Sequence, residues 1–319
     1  MLQFILRRLI ISVPTLLGIS VVLFAIISLA PGDPFGDIAL NPNVPPQARQ
    51  ELARQYGIDQ PGYVRYTKWL GQIVQGNWGF SFVSHARVSQ LIRQRLPTTL
   101  FVVGTAYLVA LLIAIPIGII SAIRQYSIVD NVATTFAFLG YSLPTFFTGL
   151  VFILIFTVKL HWLPEIYTTS IQGSLFHKIT EYARHAAMPI MVLALFQAAE
   201  LTRYVRSSVL DVIHLDYVRT ARAKGLNERQ VTLRHAVRNA LIPVITIMAL
   251  QLPTVFTGAI ITEQIFRIPG IGTLLISSIN SSDTPVLMAI VFTSAGLVVL
   301  FNIVADVLYG ILDPRITYA

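Results

Sequence analysis

Long stretches without a charged residue dominate this sequence of 319 residues. Only 12% of the residues are charged, whereas soluble domains average roughly 25%. A helix of about 20 apolar residues crosses the ~30 Å hydrocarbon core of a bilayer and satisfies its own backbone there. Five uncharged windows have this length and are predicted to be transmembrane helices: Leu9–Gly32, Leu96–Ile123, Asn131–Val158, Ala240–Thr262 and Thr284–Ala305. The first has 24 residues, longer than the about 7–15 of a signal peptide, so we predict a retained helix.

A sixth transmembrane helix is predicted from the balance of charges, because its own sequence is a weak signal. Ala186–Ala199 has only 14 uncharged residues and contains Pro189, and a longer helix takes in Glu200 and Arg203. Without this crossing, the basic stretch 203–238 would face outward, against the tendency of short cytoplasmic loops to retain Lys and Arg. With it, twelve Lys and Arg lie in cytoplasmic segments and four in short external loops. We therefore predict an all-α, polytopic membrane protein with about six transmembrane helices and both termini in the cytoplasm.

The external segment 31–97 is predicted to be an ordered subdomain. It opens with the turn sequence Pro31-Gly32-Asp33-Pro34. Two helix-compatible stretches follow, Gln47–Tyr56 and Pro61–Gln75, the second closed by Gly76. Aromatic and aliphatic residues recur at helical spacing in the second stretch. We predict that they form a packed cap or interfacial anchors, and a ligand cage is the alternative.

The cytoplasmic loop 203–240 is predicted to hold a short helix. Asp216 is a candidate N-cap for a helix over Tyr217–Lys224. Gly225 stands where a left-handed residue commonly ends a helix. Asn227, with a glutamine three residues later, can cap a second helix that leads into the fifth window.

The two sides of this short helix differ in chemistry. The apolar side consists of Tyr217, Val218 and Ala221, and the basic side consists of Arg219, Arg222 and Lys224. Further along, Pro243 is predicted to bend the chain where it enters the membrane. A short helix with two usable sides is suited to docking in a groove of a soluble partner. An amphipathic helix lying on the membrane surface is the alternative.

Several polar residues lie in or near the predicted spans, where a charge at the bilayer centre costs about 2.5–3.5 kcal/mol. Glu200 lies three residues before Arg203, a spacing that predicts a local ion pair. Asp306 is expected to have a structural partner near the cytoplasmic end of the last span. Three further residues either line a pathway or hydrogen-bond between helices, and both interpretations stay open: Gln197, Gln251 and Asn302.

Motifs for enzyme chemistry are missing from the sequence. There is no cysteine, no His-Glu-x-x-His, no Gly-x-Ser-x-Gly, and no phosphate-binding Gly-x-x-x-x-Gly-Lys-Ser/Thr. The six histidines are scattered, without a helical i, i+4 pair. We therefore predict neither catalysis nor a metal or cofactor in this chain. The formal net charge of +8 is attributed to cytoplasmic Lys and Arg, not to nucleic-acid binding.

The cytoplasmic loop carries the strongest resemblance to a known family. The sequence RTARAKGL of Arg219–Leu226, followed by RNALIP of Arg238–Pro243, resembles the coupling-loop signature of ABC importer permeases. The generic signature begins Glu-Ala-Ala, ends Leu-Pro and has a shorter gap. These departures resemble the variant found in dipeptide, oligopeptide, glutathione and nickel permeases. Other segments resemble landmarks of that subfamily in the same order: residues 1–9, 31–34, 76–81, 96–100, 140–144 and 313–315.

The resemblance implies a type I permease whose single transmembrane domain covers residues 1–319. It also implies a heterodimer with a second permease, two cytoplasmic ATPase subunits that hold ATP and magnesium, an external substrate-binding protein, and the inner membrane of a bacterium or archaeon. The residues that would couple to an ATPase are Tyr217, Arg219, Thr220, Ala221, Arg222, Ala223, Lys224, Gly225 and Pro243. Glu263 and Arg267, in the last external loop, are expected to contact the binding protein.

The transported solute is not specified by these residues. Short peptides are expected from the subfamily, and nickel and glutathione stay open. The alternative function is a self-sufficient secondary transporter or channel, a class that places ionisable groups at membrane depth and often shows internal repeats.

Overall fold

The computed structural model describes residues 2–29, 60–168 and 171–312, and in this part of the chain the regular structure is helical. The helices in the first part are α1 (Leu2–Ser28), α2 (Gly62–Val74), α3 (Val88–Ile123), α4 (Ile128–Ser142) and α5 (Thr145–Phe152), the last continued by a π-helix over Ile153–Lys159. The others are α6 (Leu175–Ile213), α7 (Asp216–Ala223), α8 (Glu228–Gln230), α9 (Arg238–Ile265), α10 (Ile271–Asn280) and α11 (Thr284–Leu312), and a second π-helix, Val231–Val237, joins α8 to α9.

Membrane-spanning helices coincide with the predicted windows. Among the described residues, four helices are long and apolar enough to cross a membrane: Ile5–Ser28, Val88–Ile123, Leu175–Ile213 and Thr284–Val307. The fifth predicted window lies inside α9, which has 28 residues. The all-α membrane fold predicted from the sequence is therefore confirmed. The predicted turn at 31–34, the helix Gln47–Tyr56 and the segment 313–315 lie outside the described residues.

The third predicted span is not one continuous helix. It consists of α4 and α5 with its π-helical extension, which are bent by 104° relative to each other. The break falls at Leu143 and Pro144, where Leu143 is extended (φ −85°, ψ 129°). A proline lacks the amide hydrogen that would continue the helix and drives the preceding residue out of the helical region. The prediction of one uninterrupted helix over Asn131–Val158 is wrong because an uncharged window does not report such a break.

The fourth span, the weakest in the sequence, is a 39-residue helix that runs through Pro189. Of its most apolar 18-residue window, 56% is buried by the rest of the chain, against 22–39% for the other three spans. A helix surrounded by protein needs less apolar surface toward lipid than one at the periphery. This burial explains why hydropathy alone identified the span poorly.

The chain divides into two compact units. One contains Leu2–Pro97 and Gly270–Leu300. Within it, α2 packs on α1, with Trp69 and Ile73 buried against Leu23, Phe24 and Ile27. Helix α2 ends before Gly76, whose φ is +77° and whose N–H donates to the Ile73 carbonyl at 3.0 Å. The predicted helix and its glycine stop are confirmed, and the aromatic residues form a packed cap.

The second unit contains Thr98–Pro269 and the chain from Phe301 onward. Its largest apolar cluster joins α3 to α6, through residues such as Val102, Ala106, Val192 and Leu201. A separate cluster packs Val205 and Val209 of α6 against Ala240 and Val244 of α9. In addition, the Tyr107 hydroxyl donates to the Met248 carbonyl at 2.6 Å. Helix α6 is thus the central element of this unit.

Candidate coupling surface and transport pathway

The predicted coupling helix forms one residue earlier than expected. Helix α7 covers Asp216–Ala223, and its N-cap is Leu215 (φ −69°, ψ 152°), which offers no side-chain cap. Asp216 is therefore in the first turn and is not the N-cap, which corrects the prediction. A carboxylate in the first turn still interacts favourably with the helix dipole. Asp216 also lies 3.7 Å from Arg219, in an exposed pair.

Gly225 ends the coupling helix in the left-handed conformation that the sequence predicts. Its φ is +78°, and its N–H donates to the Arg222 carbonyl at 2.9 Å. A Cβ added at this position would meet nothing within 4 Å. The requirement for glycine is therefore conformational, since a left-handed residue with a Cβ costs about 1–2 kcal/mol.

The apolar side of α7 is used mostly to hold the helix on its own chain. Val218 and Ala221 are buried against Ile213, Val231 and Ala236. The prediction that this whole side is free for a partner is wrong, because the turn after α7 brings the following helix back over it. Tyr217 is the exception: it stays 40% exposed, and its hydroxyl accepts from Asn239 at 3.2 Å.

The basic side of α7 faces outward from this anchor. Arg219, Arg222 and Lys224 are all exposed. Arg222 donates to Glu228 at 2.9 Å, so it is held toward the start of α8. The result is a short, fixed helix that presents guanidinium and ammonium groups together with one tyrosine.

The chain after α7 leads directly into the fifth span. The Asn227 side chain accepts from the Gln230 N–H at 2.8 Å, which confirms the predicted N-cap of the second helix. The helix begins at Glu228, continues as a π-helix over Val231–Val237 and becomes α9 at Arg238. Pro243 lies inside α9, so no break in the helix accompanies it. A displacement of α7 can therefore be transmitted through packed helix to the membrane segment.

A buried ion pair that the sequence analysis missed lies close to this loop. Arg206 of α6 donates from Nε and Nη2 to the two carboxylate oxygens of Asp130, at 2.7 and 2.8 Å. Ser121, near the end of α3, also donates to this carboxylate, as does the Tyr126 N–H at 2.9 Å. The Asp130 side chain is 3% exposed and that of Arg206 is 25% exposed. The pair therefore holds α3, α4 and α6 together. In the sequence, its only sign is a single acidic residue among apolar ones.

Two further acids at the ends of predicted windows are also buried. Asp283 accepts from Ser81 at 2.5 Å and from the Phe82 N–H at 3.0 Å. Glu263 is 1% exposed and accepts from Thr99 at 2.6 Å. The Glu263 carboxylate is therefore not at the surface of this conformation, contrary to its predicted contact with a binding protein. Arg267 is exposed, and for this residue the contact stays a prediction.

The three polar candidates for a pathway have different environments. Gln197 of α6 has a buried side-chain oxygen that lacks a hydrogen-bond partner within the described residues. Gln251 is half-buried in α9, and Asn302 is exposed on α11. Their roles stay predictions.

A cavity of about 230 Å³ lies between α4 and α6. Its lining includes Thr134 and Tyr141 of α4, and Glu200, Arg203 and Arg206 of α6. The predicted ion pair between Glu200 and Arg203 is not formed. Instead, the Arg203 guanidinium lies 5.6 Å from the ring centroids of both Tyr141 and Tyr204, a distance at which a cation is attracted to an aromatic face.

Comparison with known proteins identifies the family. Residues 114–318 match the binding-protein-dependent transport system inner membrane component. Residues 1–103 match the N-terminal region of such membrane components. The chain belongs to this family. It is a multi-pass inner-membrane permease of the ABC importer class, and the fold and resemblance predicted from the sequence are confirmed.

Curated relatives of this permease match along their whole length. An oligopeptide transport system permease of Bacillus subtilis is 44% identical over 321 residues, covering 100% of both chains. A di/tripeptide transport system permease of Pseudomonas aeruginosa is 38% identical, covering 100% of this chain and 99% of the relative. A glutathione transport system permease of Salmonella typhimurium is 38% identical, covering 100% of both chains.

A solved structure supports the fold independently. The crystal structure of an amino acid ABC transporter with histidines aligns with a TM-score of 0.50 and 13% sequence identity. The alignment covers 72% of the permease and 95% of that chain. At this level of identity the likeness concerns the fold alone.

Proposed function

We propose that this permease forms half of the translocation pathway for short peptides, in an importer driven by ATP. Its relatives are named for oligopeptides, for di- and tripeptides and for glutathione. Glutathione is itself a tripeptide, so these substrates share a short chain with an amino end and carboxylate ends. Nickel shares none of this chemistry.

The proposed assembly contains a second, similar permease, two cytoplasmic ATPase subunits and an external binding protein. ATP and magnesium bind to the ATPases, since this sequence lacks a phosphate-binding loop. Both termini of the permease lie in the cytoplasm. The charge balance supports this orientation, because the basic chain from α7 to the start of α9 then faces the cytoplasm.

The observation that carries the proposal is the fixed helix α7 with its basic face exposed. Val218 and Ala221 anchor α7 on its own chain, and Arg219, Arg222 and Lys224 remain outside. Closure of the ATPases would pull on this face, and the helix leading into α9 would carry the movement to the pathway. Coupling residues of this kind need a rigid support, which the buried face provides.

The complete importer, reconstituted in proteoliposomes with its binding protein, tests this function. We expect uptake of labelled tri-alanine that needs both internal ATP and the binding protein. Uptake that proceeds without ATP would favour a self-sufficient transporter or channel. Absence of peptide uptake, in an importer whose ATPase is stimulated by the loaded binding protein, would contradict the peptide assignment.

A further inference from the structure

We propose that the cavity between α4 and α6 binds short zwitterionic peptides during passage. In this site Arg203 binds the peptide carboxylate and Glu200 binds its ammonium group. The inference rests on the proposed function, and it adds the residues of this subunit that contact the substrate.

The two charged groups are available for a ligand. Arg206, the neighbouring cation in the cavity wall, is fully engaged by Asp130. Arg203 is exposed and has no carboxylate partner in the described part of the chain, and Glu200 makes no hydrogen bond or ion pair there. Ionisable residues inside a membrane domain usually mark a substrate or ion pathway.

The position of the cavity also fits a pathway. Tyr141 lies eleven residues after Asp130 on α4, which corresponds to about 16 Å along a helix. With Asp130 at the cytoplasmic boundary, Tyr141 is near the middle of the ~30 Å hydrocarbon layer. Arg203 lies one turn further into the membrane than Arg206 on α6, and its guanidinium reaches to within 5.6 Å of the Tyr141 ring centroid. The 104° bend follows directly after Ser142. Interrupted helix at membrane depth occurs where it is buried in protein or lines a water-filled cavity.

The walls of the cavity suit a peptide. The Tyr141 ring stacks on Phe196 with centroids 5.9 Å apart, and its neighbour Arg203 can donate two hydrogen bonds to one carboxylate. Glu200 is one helical turn away, at the spacing of neighbouring side chains. The two opposite charges on this aromatic wall offer one partner to each end of a zwitterionic di- or tripeptide.

Uptake of three peptides by the complete reconstituted importer tests the two roles separately. The probes are tri-alanine, N-acetyl-tri-alanine and tri-alanine amide, each at a saturating concentration of binding protein. Uptake by each variant is divided by wild-type uptake of the same probe, so selection by the binding protein cancels. The matched control is Lys178→Gln, which removes one positive charge from the same helix far from the cavity.

We expect Arg203→Gln to lower uptake of tri-alanine and N-acetyl-tri-alanine at least about tenfold, because a hydrogen bond to a charged group is lost. Its uptake of tri-alanine amide should stay near the wild-type value. Glu200→Gln should lower uptake of tri-alanine and tri-alanine amide, which carry the ammonium group. Its uptake of N-acetyl-tri-alanine should stay near the wild-type value. Arg203→Lys, which retains the charge, should recover most of the uptake, and Lys178→Gln should match wild type.

Two outcomes would overturn the inference. Wild-type uptake of all three probes by both variants would show that the cavity is not on the pathway. Equal loss of all three, with loss of the assembled importer on size-exclusion chromatography, would show a structural role for the charges. If the wild-type importer takes up no peptide, the proposed function fails as well, whereas normal wild-type uptake confines the failure to this site.

Discussion

At the scale of single residues, the acids that bound the uncharged windows are structural anchors. Asp130, Glu263 and Asp283 are buried, and hydroxyl groups of Ser121, Thr99 and Ser81 donate to them in the same order. A buried carboxylate requires such donors. Two of the donors lie in segments that resemble landmarks of the subfamily, 76–81 and 96–100, so part of that resemblance reflects packing.

Replacement of the acid in the buried ion pair should destabilise the permease. Asp130→Asn leaves Arg206 without its charge partner, and breaking a buried pair of this kind lowers the free energy of unfolding by about 3–5 kcal/mol. Because the Arg206 side chain is 25% exposed, we expect a decrease near the lower end of this range. Equilibrium unfolding of the purified permease in mixed micelles measures it. Glu228→Gln is the control, since that carboxylate is 70% exposed and an exposed pair contributes about 0–1 kcal/mol. Equal losses for the two variants would contradict the anchoring role.

Gly225 provides a second test at this scale. Gly225→Val forces a β-branched residue into the left-handed region, so α7 should end differently while the protein still inserts. We expect peptide import per ATP hydrolysed to fall several-fold in the reconstituted importer. Gly76→Val is the matched control, because Gly76 has φ +77° and equally open space but ends the external helix α2. The coupling role would be refuted by a normal ratio in Gly225→Val, or by an equal fall in both variants.

At the scale of elements, local signals predicted the coupling region well. Gly225 and Asn227 place the end of α7 and the start of α8 to within one residue, since the backbone conformation of Gly225 and the side-chain cap of Asn227 are both local. The burial of Val218 was not predictable, because it depends on how the chain returns after the turn. Likewise, Asp130 and Arg206 are 76 residues apart, and nothing in the local sequence indicates which cation the acid meets.

The broken third span is the main element that the sequence concealed. Pro144→Ala restores an amide hydrogen, and we expect α4 and α5 to straighten. Spin labels on Phe136→Cys and Leu154→Cys would then be about 27 Å apart, since a straight helix rises 1.5 Å per residue. With the native bend, the distance between the two labels should be much shorter. Both positions are exposed, and the chain has no other cysteine.

Pulsed electron paramagnetic resonance on this labelled pair measures the separation. The control is Pro189→Ala in the same background, because α6 already continues through its proline and the labelled distance should not change. A distance distribution unaltered by Pro144→Ala would mean that packing, and not the proline, maintains the bend.

At the scale of the whole molecule, the coupling role of α7 requires that this helix lie on the cytoplasmic side of the membrane. Full-length similarity to transport system permeases and the helical fold of the described residues agree with the sequence prediction. Hydropathy and charge balance predict such features well because they are summed over the entire chain. Substrate and partners could not be predicted in this way, because hydropathy and charge balance do not report which ligand or protein a given surface binds.

Labelling of single cysteines from each side of the membrane determines on which side α7 lies. Lys224→Cys reports on α7, and Tyr63→Cys, at a position 74% exposed on α2, is the external control. With a membrane-impermeant maleimide, we expect Tyr63→Cys to react in intact spheroplasts and Lys224→Cys to react only in inverted vesicles, more slowly once the ATPases are bound. Reaction of Lys224→Cys in sealed spheroplasts would place the basic helix outside the cell and contradict its coupling to cytoplasmic ATPases.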